Sequence, residues 1–85
     1  MIIAPQLIRD ALGYRQSWIS ARFSHVAKDY LVYAHSQYDV DDMIAVAIAY
    51  ESNSRNPKQK AKSEEMMAAT LKFLQGLKNG RNIYV

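Results

Sequence analysis

The chain has no cysteine, so neither a disulfide framework nor a thiolate metal site can form, and the cytoplasm, a reducing compartment, is the expected setting. Glycine is scarce too. With only Gly13, Gly76 and Gly80 available there is no glycine-rich phosphate cradle, and Ser17, Ser20, Ser24 and Ser36 lack the glycine pattern of a nucleophile elbow. The run "MIAVAIAY", residues 43 to 50, falls far short of the roughly 18 to 20 apolar residues that span a bilayer. The opening "MIIAPQLI" has no basic leader and is interrupted by Pro5, which argues against a secretory signal. A soluble protein without a membrane partner is expected.

Metal ligands are equally sparse. On one continuous helix, His25 and His35 would stand about 15 Å apart along the axis, too far to share an ion. The acids of "DVDD" do not make a calcium loop either, because such a loop wants glycine at its sixth position and glutamate at its twelfth, where this chain has Ile44 and Tyr50. The reading is therefore no metal, no cofactor and no catalysis.

What remains is ordinary globular material. Eighty-five residues, 49% hydrophobic and 22% charged, suit a single domain over 1–85 with one core. A chain this short buries only about 60 to 65% of its unfolded surface, which leaves little room for a deep catalytic cleft. The net charge is +3 and the pI near 9.3, a lean toward anionic partners. Its distribution says more. Residues 37 to 51 carry Asp39, Asp41, Asp42 and Glu51 with no base, whereas 52 to 62 carry Arg55, Lys58, Lys60 and Lys62 with no acid. That basic stretch reads either as a solvated connector or as a footprint for phosphates.

Hydrophobic periodicity predicts an all-α bundle of about four helices. Pro5 suits a first helical position, and "QLIRDAL" runs from it to a stop at Gly13, with Leu7, Ile8, Ala11 and Leu12 on one face. From Gln16 to about Ser36, Ile19, Phe23, Val26, Tyr30 and Tyr33 recur at helical steps, predicting either one long helix or two that break near Ala27. Asp39 reads as the cap of the next helix, with Asp41 and Asp42 in its first turn and Val40, Met43, Ile44, Ala47 and Ile48 on its buried side. It should end near "ESNSRNP". Ser63 is the expected cap of the last helix, whose stripe is Met67, Leu71 and Leu74 and which stops at Gly80. The β-forming ends "MIIA" and "NIYV" allow a short terminal ribbon or arms across a dimer.

One corner of this plan carries chemistry. In "LGYRQSWIS", residues 12 to 20, Leu12 closes a supporting helix, Gly13 turns the chain, Tyr14 takes an apolar position, Gln16 and Ser17 open a second helix, and Ile19 anchors it. The stretch resembles the helix-turn-helix of Cro and repressor-type regulators across residues 8 to 23, and more loosely to residue 50 through "DVDDMIAVAIAY". The resemblance implies a recognition helix that starts at Gln16 and presents its first turns to the major groove of double-stranded DNA. The residue chemistry agrees. Gln16 can pair with an adenine edge, and Ser17 and Ser20 can bond to base or phosphate. Arg15, Arg22, Lys28, Arg55 and Lys58 supply phosphate contacts. The two-fold logic of such readers implies a homodimer.

A second function class competes with it. Six Tyr, four Met and one Trp are many for so small a chain, and these types are enriched at protein interfaces. Trp18, Tyr30, Tyr33, Tyr38 and Tyr50 cannot all be core here, which fits a helical inhibitor or adaptor that binds a protein partner without DNA.

Overall fold

The computed structural model describes residues 1–27 and 37–80 of the chain. Among them the architecture is a small, mostly helical bundle. Two short strands, β1 (Ile2–Ile3) and β2 (Tyr38–Asp39), accompany four α-helices: α1 (Pro5–Leu12), α2 (Gln16–Phe23), α3 (Val40–Ala49) and α4 (Pro57–Lys78). No described helix is long and apolar enough to cross a membrane.

The helix boundaries follow from local chemistry. Pro5 occupies the first turn of α1, where its missing N–H is not needed, and Gly13 closes the helix at φ 73°, its N–H donating to the Arg9 carbonyl at 2.9 Å. A side chain at that φ would be strained, which is why glycine marks the corner. α3 starts as expected: Asp39 is the N-cap and its carboxylate accepts from the Asp42 N–H at 3.2 Å. Asp41 and Asp42 lie in the first turn, where the helix dipole favours negative charge.

Three boundaries are set by caps and tertiary contacts that periodicity alone does not fix. Of the two readings from Gln16, the break near Ala27 is the one observed: α2 ends at Phe23, a 3₁₀ turn (Ser24–Val26) follows, and Ala27 is extended and bridges to Tyr38. Ser24, His25 and Val26 have modest helix propensity, so a tertiary bridge can override the periodicity. Val26 still packs against the core from the 3₁₀ turn, which explains why it fits the helical stripe. Tyr30 and Tyr33, the rest of that stripe, lie outside the described residues.

Second, α4 starts at Pro57, with Asn56 rather than Ser63 as its cap; the Asn56 side-chain oxygen accepts from the N–H groups of Lys58 at 2.9 Å and Gln59 at 3.4 Å. The missed signal was the pair Asn56-Pro57, a preferred cap followed by a preferred first residue. The run "KQKAK" hid it because it has no apolar stripe. Lys58, Lys60 and Lys62 are thus helical residues, not parts of a connector.

Third, the N-terminal strand pairs inside the domain. β1 runs antiparallel to β2 with Ile2 opposite Asp39 and Ile3 opposite Tyr38, and the Val40 N–H donates to the Met1 carbonyl at 2.9 Å. The "NIYV" segment lies outside the described residues apart from its preceding turn at Gly80.

The core unites all the elements. Ile8, Ile19, Phe23, Met43 and Leu74 are completely buried, and Tyr38, Val40 and Met67 nearly so. The Phe23 and Tyr38 rings meet edge-on at 6.5 Å, tying α2 to the strand pair. Thr70, the one buried polar residue among the described residues, donates its hydroxyl to the Met66 carbonyl at 2.8 Å and so adds no unpaired group. α3 and α4 form the most extensive helix pair, and α2 packs on both α1 and α3. Burial of Ile19 and Phe23 fixes the roll of α2 and turns Ser17 and Ala21 outward.

Candidate functional site

With Ile19 and Phe23 locked inward, the opposite side of α2 forms one wall of an open groove of about 1100 Å³. The other wall is the chain from Tyr50 to Ser54 together with the first turns of α4, through Gln59, Lys62, Ser63 and Met66. Spacings of three and four place those α4 residues on one helical face. The loop wall is held by its own serines: Ser52 Oγ accepts from the Ser54 N–H at 3.2 Å, and Ser54 Oγ accepts from the Asn56 N–H at 3.3 Å.

Aromatic rings and an arginine form the floor. Tyr14 and Trp18 stand with ring centroids 5.0 Å apart, and the Arg22 guanidinium lies over both the Trp18 ring at 5.4 Å and the Tyr50 ring at 5.7 Å. Positions 14, 18 and 22 are separated by successive steps of four, so the ladder Tyr14–Trp18–Arg22 was readable as a spacing. Tyr50 is added only by tertiary structure.

This arrangement has an electrostatic peculiarity. Arg22 forms no ion pair with a carboxylate among the described residues, and its Nε, like the Trp18 Nε1, is enclosed without a hydrogen-bond partner. A buried donor left unpaired costs about 1 to 3 kcal/mol, so two in one ladder are an unusual concession for a small domain. Burial, and then the charge of Glu65, raises the Tyr14 phenol above its ordinary pKa of 10.0, so the ring remains neutral at physiological pH.

The sequence-selected residues divide into groups. Arg15, Ser17 and Arg22 line the groove, with Arg15 and Ser17 exposed at the start of α2. Gln16 and Ser20 occupy the neighbouring flank of α2, half-buried, where Gln16 Nε2 donates to Ser20 Oγ at 3.1 Å. Gln16 is thus near the surface but engaged in a local bond that a ligand would have to exchange. Arg55 and Lys58 are exposed at the start of α4, just outside the groove lining. Lys28 lies outside the described residues. Lys62, Tyr50 and Trp18 join the site without having been selected for it.

The helix termini set the charge of the site. α2 begins at Arg15 with no side-chain cap and no acid in its first turn. α4 likewise has no acid in its first turn and carries Lys58, Lys60 and Lys62 near its positive end. Cations near a helix N-terminus oppose the dipole, while the free N–H groups there attract anions. Among the charged residues of the lining, Arg15, Arg22 and Lys62 face one acid, Glu51.

No protein-family model, curated protein or solved structure matches this chain.

Proposed function

We propose that the chain is a small DNA-binding regulator that reads double-stranded DNA with α2. The observation that carries this reading is the corner itself: α1, the left-handed Gly13 and α2 follow one another as in a helix-turn-helix, with Ile19 and Phe23 buried and Arg15, Ser17 and Ala21 exposed. Ser17 and Gln16 act on base edges, and Gln16 exchanges its bond to Ser20 for one to the base. Arg15, Arg55 and Lys58 contact phosphates, and the uncapped start of α2 adds backbone N–H donors. The protein works as a homodimer in the cytoplasm, and the exposed apolar residues Met1, Ile2 and Ile48 supply surface for the second copy.

A mobility-shift assay with mixed duplex DNA at low and moderate salt tests the reading. A shift at low salt that weakens steeply at moderate salt is expected. Gln16→Ala should flatten discrimination between sequences, whereas Lys58→Ala should weaken all sequences about equally. No shift at low salt would remove the regulator reading.

The stack of Arg22 between Trp18 and Tyr50 favours a second reading, a protein-binding module. Arginine and tryptophan gathered in one depression are the residue types that dominate interface energies. Binding of a protein partner through that ring ladder would weaken far less with salt than binding to several phosphates.

A further inference from the structure

The duplex reading uses the rim of the groove and leaves its floor without a task. Three observations converge on that floor. The ladder Tyr14–Trp18–Arg22, extended by Tyr50, gathers aromatic rings and a guanidinium plane in one depression, and unpaired bases stack on aromatic rings and on guanidinium planes alike. Arg22 is held in place by two rings but paired with no acid among the described residues, so its orientation is prepared before a ligand arrives. Arg15 and Lys62 place two further cations at the mouth, beside the uncapped start of α2.

We infer that the groove between α2 and the start of α4 is a receptor for a nucleotide unit, with the base on the Trp18–Arg22–Tyr50 ladder and the phosphate at Arg15 and Lys62. The inference goes beyond the duplex reading above, because a paired base inside a duplex has no free face to offer. Two sources carry this chemistry: a free mononucleotide, or an unstacked nucleotide of a single strand. A base can use both the rings and the guanidinium of the ladder, whereas an acidic peptide would engage the cations and leave the rings without a partner.

Trp18 is the sole tryptophan of the chain and sits in the floor, so its fluorescence reports occupancy directly. The full chain is titrated with adenosine 5′-monophosphate, adenosine, inorganic phosphate, a short single-stranded oligonucleotide, the same sequence as a duplex, and a glutamate-rich peptide. A saturable change with the monophosphate is expected, with adenosine and inorganic phosphate each binding about tenfold or more weakly, as loss of a stacked base or a charged contact implies. Arg22→Ala should weaken the monophosphate by about tenfold. Lys62→Gln, on an exposed helical position that the fold does not need, should weaken it by a smaller factor and keeps the test valid should the first variant unfold. Tighter binding of the single strand than of the monophosphate assigns the site to nucleic acid; the reverse assigns it to a free nucleotide.

The inference is overturned by an unchanged Trp18 signal with both monophosphate and single strand, by an equal response in Lys62→Gln, or by a response to the glutamate-rich peptide alone. A retained duplex shift with a silent Trp18 removes the groove site only. A Trp18 response without any duplex shift removes the duplex reading only.

Discussion

The starts of α3 and α4 are built on opposite electrostatic plans. α3 has a carboxylate cap, Asp39, two further acids in its first turn, and no base there. α4 has a neutral cap, Asn56, no acid in its first turn, and Lys58, Lys60 and Lys62 along its opening turns. The first obeys the helix dipole and the second resists it, although both helices pack on the same core. α2 sides with α4, since it starts at an arginine and has no side-chain cap. Local rules that are followed serve the fold, and local rules that are broken without structural gain mark the surface that faces a ligand. On this comparison α3 is built as a structural helix, while α2 and the opening of α4 form the side to which the proposed function assigns the ligand.

The largest expected effect removes the ground both regions share. Phe23 is completely buried and joins α2 to Tyr38, so Phe23→Ala should lower unfolding stability by about 3 to 5 kcal/mol in a denaturant titration. Next comes the structural helix alone. Asp39→Ala removes the α3 cap and should cost about 1 kcal/mol while leaving DNA affinity unchanged. A loss of affinity there, at unchanged stability, would erase the distinction between the two starts.

Lys58→Glu sharpens the contrast, because its two effects should point in opposite directions. It places an acid at the positive end of α4 and should raise stability by about 0.3 to 1 kcal/mol, while weakening DNA binding through loss of a phosphate contact. A variant that is both less stable and equally tight would mean that Lys58 serves the fold.

The smallest effect lies at the pair formed by Lys78 and Asp41, 2.7 Å apart and both well exposed. The Lys78 ammonium bonds to the Asp41 carboxylate, which holds the acid below its ordinary range and the lysine above its own. The acid's contribution is present above its unfolded pKa and fades as pH falls through the lowered folded value. The lysine's is present below its unfolded pKa and fades as pH rises through the raised one. The pair therefore ties α3 to the end of α4 only between those limits, and salt screens it. Lys78→Ala should give a thermal midpoint slightly lower at neutral pH and unchanged at high salt.

The same comparison explains what the sequence disclosed. The α1 and α3 boundaries were legible because Pro5, Gly13 and Asp39 each perform the local task that their chemistry favours. The core was legible at Ile8, Ile19, Phe23, Met43, Met67 and Leu74, where helical spacing and burial agree. The break near Ala27 was legible only as an alternative to one long helix, because the bridge of Ala27 to Tyr38 that selects it is a contact distant in sequence. The start of α4 was missed because a helix opening on lysines looks like a connector. Of the candidate site, the exposed start of α2 could be read from the roll of Ile19 and Phe23. The groove could not, since Tyr50 and Lys62 reach it only through the packing of α3 and α4.

Under the proposed function the cationic starts of α2 and α4 face the phosphates of nucleic acid. Its most direct test is the salt dependence of duplex affinity for the wild type and Lys58→Ala, measured by fluorescence anisotropy across a series of salt concentrations. The account predicts that log affinity falls linearly with log salt, and that the slope shrinks by about one in the variant. A wild-type affinity indifferent to salt, or a slope that Lys58→Ala leaves unchanged, would contradict it.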